Sequence, residues 1–113
     1  MSRREELIER YAEDLRSKIG VEPDMELLRK VTIGCGPSIY MADASTVAMT
    51  QPHELATVRN SYLRGKLGLP DGPELDAAID KVMEMYGHSE RNKYRAVVYY
   101  LLCVHFGKQD VYA

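Results

Sequence analysis

Apolar side chains recur every three or four residues through most of this chain, which is the spacing of helices that bury one face. Polar and charged residues fill the positions between them. Glycine or proline interrupts the pattern at several points and separates one stripe from the next. The pattern predicts five helices, over about residues 3–19, 24–33, 51–66, 74–86 and 90–106.

The first helix carries start and stop signals of its own. Ser2 and Glu5 have the spacing of a capping box, in which each side chain can bond the free backbone N–H of the other residue. Gly20 can adopt the left-handed conformation that ends a helix. These residues place the beginning and the end of the first helix close to residues 3 and 19.

The last helix decides the fold class. Between Tyr94 and Phe106 only Arg95 and His105 are strongly polar, and Gly107 ends the run. A helix that is apolar almost all round must be covered on most of its sides. No segment shows the alternation of a strand, and the short connections favour antiparallel neighbours. We therefore expect an all-α fold, a compact five-helix bundle around an apolar C-terminal helix, with residues 1–113 as one domain.

Residues 34–51 fit neither helical nor strand periodicity. Gly34, Gly36 and Pro37 break the second helix, and residues 37–41 could form a single helical turn. A connection of this length is unusual in a compact domain. Long irregular loops on a rigid scaffold tend to carry function, so this segment, with Tyr40 in it, is a candidate binding surface.

Charge and composition exclude several classes of protein. The formal net charge of −2 disfavours a dedicated nucleic-acid binder, which needs a basic face for phosphates. No apolar run reaches the roughly 20 residues that cross a bilayer, and the first residues do not resemble a secretory signal. Two distant cysteines do not make a disulfide framework. We expect a cytoplasmic protein with no membrane contact.

Cys35 is the candidate nucleophile. It stands between Gly34 and Gly36, before a possible helix start, where the pKa of a thiol can be lowered. A histidine such as His53 or His105 could then serve as its base. The simpler interpretation is that the glycines turn the chain and Cys35 packs as a small hydrophobic residue. We favour the simpler interpretation, so catalysis by Cys35 remains the alternative.

The start of the last helix is the candidate anion site. Ser89 marks the helix start, and Arg91, Lys93 and Arg95 follow in its first turns. Free N–H groups with nearby cations attract a phosphate, a carboxylate or an acidic surface. Pairing of these cations with Glu84, Glu90 or glutamates of the first helix is the simpler interpretation.

Metal and cofactor sites are not expected. His53, His88 and His105 are scattered, so no helix face offers two histidine ligands. The chain also lacks a phosphate-loop motif. The eight tyrosines include the adjacent pair Tyr99 and Tyr100, which point to different sides of the last helix. An exposed tyrosine there would suit a homodimer interface.

Four segments resemble one known family. They are residues 30–34 (KVTIG), 36–40 (GPSIY), 69–80 (LPDGPELDAAID) and 92–102 (NKYRAVVYYLL). Together they resemble a family of small bacterial proteins that is called a domain of unknown function, the one numbered 2853. The resemblance spans nearly the whole chain and implies an all-helical fold and a bacterial source. It implies no catalytic residues and no assigned activity.

The sequence therefore leads to three hypotheses about function. The first is a non-enzymatic binding or protein-interaction module, with a protein partner or a second copy of the chain as its target. The second is a small enzyme that uses Cys35 as nucleophile. The third is a weak binder of small anions or nucleic acid through the basic start of the last helix. The expected binding residues are Ser89, Arg91, Lys93, Arg95 and Tyr40.

Overall fold

The computed structural model describes residues 2–113, and every regular element in that range is helical. Helix α1 spans Arg3–Asp14 and continues as a π-helix over Leu15–Ile19, and α2 spans Met25–Gly34. Helix α3 spans Pro52–Thr57 and continues as a π-helix over Val58–Lys66, α4 spans Pro73–Tyr86, and α5 spans Arg95–His105. Short 3-10 helices cover Gly36–Tyr40 and Gln109–Tyr112. The all-α prediction is confirmed.

Helix α1 begins and ends as its sequence predicts, with one difference. The hydroxyl of Ser2 accepts a hydrogen bond from the backbone N–H of Glu5 at 3.1 Å. The carboxylate of Glu5 does not return to Ser2 but pairs with Arg29 on α2. Gly20 ends the π-helical continuation with a φ of +84°. The capping box is therefore half formed, because an ion pair between two helices takes its second member.

The predicted apolar C-terminal helix is the centre of the bundle. Every residue of α5 is buried except Tyr99, Val104 and His105. Helices α1, α2, α4 and the π-helical part of α3 all contact it. One continuous cluster of buried apolar side chains joins these elements. The side chains of α5 thus hold the four other helices together by burial of apolar surface.

Helix α5 begins later than its sequence predicts, at Arg95 rather than near Glu90. Tyr94 is extended, with φ −61° and ψ 132°. Residues 87–92 form a turn in which the N–H of Glu90 bonds the carbonyl of Gly87 and the N–H of Asn92 bonds the carboxylate of Glu90. The backbone next to Tyr94 pairs with residues 45–47 instead of winding into the helix.

The C-terminal residues are ordered against the bundle. The ring of Tyr112 lies over Gly34, where an added Cβ would come within 3.4 Å of it. The hydroxyls of Tyr112 and Tyr62 are 2.9 Å apart. None of the helices in residues 2–113 combines the length and the apolar character that a membrane span requires.

Candidate functional site

A short backbone pairing ties the irregular segment to the start of α5. Thr46 and Tyr94 form an isolated antiparallel bridge. The N–H of Val47 donates to the carbonyl of Lys93, and the N–H of Arg95 donates to the carbonyl of Ser45, both at 2.8 Å. The two parts of the chain that the sequence singles out are therefore neighbours. A depression lies on each side of this pairing.

Arg95 lies beneath this pairing and is not available as an anion ligand. Its guanidinium donates to the carboxylate of Glu54 at 2.9 and 3.0 Å. It also donates to the carbonyls of Ala44 and Thr46 at 2.7 and 3.2 Å, and to the hydroxyl of Tyr99 at 3.1 Å. Burial disfavours the charge, but the bonds to Glu54 and Tyr99 outweigh it and raise the pKa of Arg95. Arg95 therefore positions the loop.

The other predicted anion ligands divide between buried and exposed positions. Lys93 is buried, and its ammonium donates to the carbonyl of Glu90 at 2.5 Å. Arg91 and Ser89 are exposed in the turn before α5. Arg91 and Lys93 line the same depression, and Arg95 and Ser89 do not. The predicted helix start before Arg91 is wrong, because that part of the chain is a turn and α5 begins at Arg95.

Tyr40 lies in the larger depression, which we call the Tyr40 groove. The groove has a volume of about 580 Å³ and runs between the first half of α1, the Gly36–Tyr40 turn with the residues after it, and Tyr94. Tyr40 and Met41 are 48% and 55% exposed. The residues that line the Tyr40 groove are Arg3, Glu6, Leu7, Arg10, Ile39, Tyr40, Met41, Ala42, Ser45 and Tyr94.

Two arginines give the Tyr40 groove a positive side. Arg10 donates to the hydroxyl of Tyr94 at 3.4 Å, and this contact raises the pKa of Arg10. Arg3 lines the groove without an ion pair to any of residues 2–113. The centroid of the buried Tyr11 ring lies 5.1 Å from the centroid of the Tyr94 ring. The groove thus presents aromatic, thioether and guanidinium groups together.

Tyr11 has a hydroxyl with no acceptor or donor in the described part of the chain. The side chain is fully buried, and its oxygen is the buried polar atom that lacks a hydrogen-bond partner among those residues. Burial raises the pKa of Tyr11. The hydroxyl therefore stays protonated at neutral pH.

Cys35 ends α2 and does not line the Tyr40 groove. Its thiol is largely covered, and burial raises its pKa to about 11, with the charge of Arg95 opposing the shift. Both Cys35 and Cys103 are free thiols. A nucleophilic cysteine needs a lowered pKa, so the environment of Cys35 favours the structural interpretation.

Metal ligands are not brought together in residues 2–113: no group of three or more histidine, cysteine, aspartate or glutamate side chains could hold an ion. The exposed apolar side chains on the α4–α5 side are Met85 and Val104, not a tyrosine. Tyr100 is buried and its hydroxyl accepts a hydrogen bond from the N–H of Asp24 at 2.8 Å. Tyr99 is half-buried and stacks on Tyr62. Neither tyrosine is therefore fully exposed on this helix, although Tyr99 is partly accessible.

Comparison with known families supports the resemblance seen in the sequence. Residues 10–110 match the model of a family described as a protein of unknown function, DUF2853. The chain belongs to this family. A search of curated proteins found no match to it. The DUF2853 match covers α2 to α5 and the second half of α1, so it includes the smaller depression and most of the residues that line the Tyr40 groove, but it assigns no activity to either one.

Sequence reasoning missed Arg3, Arg10 and Tyr94 as members of one groove. Arg3 and Arg10 are seven positions apart on α1, which places them two turns apart on one face. That spacing was visible in the sequence. What covers or borders that face depends on where residues 36–45 fold back, and local periodicity does not carry that information.

Proposed function

We propose that this DUF2853 protein is a non-enzymatic binding module that holds a segment of a protein partner in the Tyr40 groove. The observation that carries the proposal is the convergence of Tyr40, Met41, Tyr94, Arg3 and Arg10 around one depression. Tyrosine, methionine and arginine are enriched at protein interfaces, and tyrosine and arginine are enriched among the residues that dominate binding energy.

Charge favours an acidic segment as the occupant. The lining holds two arginines against the single carboxylate of Glu6. A carboxylate of the partner could accept two parallel bonds from a guanidinium. An apolar side chain beside it could pack on Tyr40 and Met41, which solvent now covers. We therefore infer a partner segment with an acidic residue next to an aromatic or aliphatic one.

Selection from a random peptide library tests this proposal. The selected peptides should combine acidic and apolar residues and should bind the protein in a fluorescence anisotropy titration. Tyr40→Ala and Arg10→Ala should each weaken binding by about tenfold or more, which is about 1.4 kcal/mol. Salt should weaken binding further, because part of the attraction is between charges at the surface.

Two variants outside the groove serve as controls. Ile33→Ala removes an exposed apolar side chain of α2, and Arg64→Ala removes an exposed arginine of the π-helical part of α3. Both should bind the selected peptide like the wild type. Selection of peptides whose binding ignores Tyr40 and Arg10 would refute the proposal. Concentration-dependent self-association that Tyr40→Ala abolishes would show that a second copy of the chain, and not a foreign segment, occupies the groove.

We further propose that the protein works in a reducing cytoplasm. The support is that Cys35 and Cys103 both carry free thiols, and reducing compartments keep thiols in that state. Catalysis by Cys35 is not part of the proposal, because burial holds its thiol protonated at neutral pH. The bacterial source stays an expectation from the family resemblance.

A further inference from the structure

The smaller depression lies on the other side of the Thr46–Tyr94 pairing, and we call it the Lys93 cavity. It has a volume of about 270 Å³ and lies between residues 47–50 and the turn of residues 88–93. Its polar lining comes from His88, Glu90, Arg91 and Lys93. It does not share a lining residue with the Tyr40 groove.

Lys93 is a buried cation without an ion pair. The residue is only 2% exposed, and one hydrogen bond, from its ammonium to the carbonyl of Glu90, is formed within residues 2–113. No carboxylate oxygen of that range lies within 4.0 Å of the ammonium. Lysine is almost never fully buried unless it is paired, and a buried charge without compensation is costly. An ammonium with three donors has capacity left for a ligand.

The nearest carboxylate is already engaged elsewhere. Glu90 accepts from the ammonium of Lys18 at 3.1 Å and from the N–H of Asn92 at 3.1 Å. These contacts, the bond to Lys18 first, lower the pKa of Glu90. Burial in turn lowers the pKa of Lys93, with Glu90 opposing the shift only in part. The positive charge of Lys93 is therefore not neutralised by its surroundings.

We propose that the Lys93 cavity binds a small anion of the phosphate class, with Lys93 at its base and Arg91 and His88 at its mouth. The two basic side chains at the mouth are exposed and line the same space. Lysine acts as a point charge toward phosphate, and arginine can add two parallel bonds. The negative charge of the anion would neutralise the positive charge of Lys93.

The size of the cavity favours a phosphate that carries an organic group. A water molecule occupies about 30 Å³ of the liquid, so an inorganic phosphate leaves much of the space unfilled. The lining of the cavity also includes the apolar residues Val47 and Met49. A compact phosphate monoester would place its charged end on Lys93 and its organic end on these side chains.

Nuclear magnetic resonance titration with inorganic phosphate and with phenyl phosphate tests the site. Both probes should cause saturable shifts at the amides of Arg91 and Lys93, and phenyl phosphate should bind more tightly and also shift the methyl of Met49. Sodium chloride at equal ionic strength is the control for general screening. Shifts that chloride reproduces, or that never saturate, would mean that the cavity holds no phosphate.

Two variants distinguish binding from a structural role. Lys93→Met keeps the length of the side chain and removes the charge, so it should abolish binding while leaving the melting temperature unchanged or raised. Arg91→Gln alters an exposed residue and should weaken binding about tenfold. Lys108→Gln, just beyond the C-terminal end of α5, should bind like the wild type. Full affinity in both Lys93→Met and Arg91→Gln would overturn the assignment, and it would leave the peptide test of the Tyr40 groove unaffected.

Discussion

At the scale of single residues, burial decides what the reactive groups of this protein can do. Cys35 stands between glycines at the end of a helix, which suggests a reactive thiol, but most of its surface is covered. The desolvation that keeps Cys35 protonated is larger than the stabilisation that Arg95 offers its thiolate. The chemistry of this cysteine therefore follows from tertiary packing and not from its local motif.

Cys35 should react slowly with an alkylating reagent in the folded protein. With a pKa of about 11, only about one thiol in ten thousand is ionised near neutral pH, against a few per cent for an ordinary cysteine. As long as the pH is below that pKa, each increase of one pH unit should raise the rate about tenfold, because only the thiolate reacts. Mass spectrometry of a Cys103→Ala variant would follow the modification of Cys35 alone.

Protein unfolded in urea is the control for that experiment, since its Cys35 should be modified at the rate of a free thiol. Fast labelling of the folded protein at neutral pH would contradict the prediction. It would return catalysis by Cys35 to consideration.

At the scale of elements, Arg95 connects three parts of the chain through one side chain. It belongs to α5, its ion-pair partner Glu54 belongs to α3, and the carbonyls of Ala44 and Thr46 belong to the irregular segment. Both members of the pair are largely covered, at 10% and 14% side-chain exposure. Removing one member of such a pair leaves a buried charge without compensation.

Glu54→Gln should therefore destabilise the protein by about 3 kcal/mol, as breaking a buried pair does. It should also speed hydrogen exchange at the amides of Val47 and Arg95, whose bonds close the segment onto α5. Urea denaturation measures the first effect and amide exchange the second. Asp76→Asn, which removes a 67% exposed partner of Arg59, should cost less than about 1 kcal/mol. Equal costs for the two variants would show that the Arg95 contacts do not hold the segment.

The same elements show how far the sequence could predict the structure. The apolar stripes correctly predict four helices, because each of them needs only its own periodicity and end signals. They are α1, α2, α4, and α3 with its π-helical continuation to Lys66. The start of α5 is not predicted by its pattern, because Ser45 and Val47 form the backbone hydrogen bonds on either side of Tyr94. A partner some fifty residues away leaves no trace in a local pattern.

The candidate site was predictable to a similar degree. Tyr40 and the basic residues before α5 could be selected from composition and loop length, and both lie in depressions of the structure. The sequence could not identify Glu54 as the ion-pair partner of Arg95, because the chain contains many glutamates and no local pattern distinguishes this one. Lys93 is buried and Arg91 is exposed. This difference depends on how the whole bundle packs, so the local sequence could not show it.

At the scale of the whole molecule, the two depressions share one support. The Thr46–Tyr94 pairing separates them, and Arg95 lies under that pairing. A change that loosens Arg95 should disturb both the Tyr40 groove and the Lys93 cavity, although they have no lining residue in common. The apolar core of the bundle therefore fixes the geometry of its outer surface through one buried cation.

The whole bundle also depends on neutral tyrosines, which predicts a steep loss of stability in alkali. Burial is the first cause that raises the pKa of each of these side chains, and for Tyr112 it reaches about 12. In the unfolded chain a tyrosine ionises at about pH 10, so above that pH the unfolded state holds fewer protons than the folded one. The free energy of unfolding must then fall with pH, by up to about 1.4 kcal/mol per pH unit for each tyrosine. The affected residues are Tyr11, Tyr62, Tyr86, Tyr99, Tyr100 and Tyr112.

Urea denaturation over a pH series should show full stability below about pH 10 and a progressive loss above it. Most of the tyrosinate absorbance should appear together with the loss of helical circular dichroism in that range, because these six hydroxyls ionise when the bundle opens. A folded protein whose tyrosines ionise one after another while its helices persist would contradict the prediction. It would mean that water reaches Tyr62 and Tyr86 without unfolding, and that the packing around α5 does not enclose them.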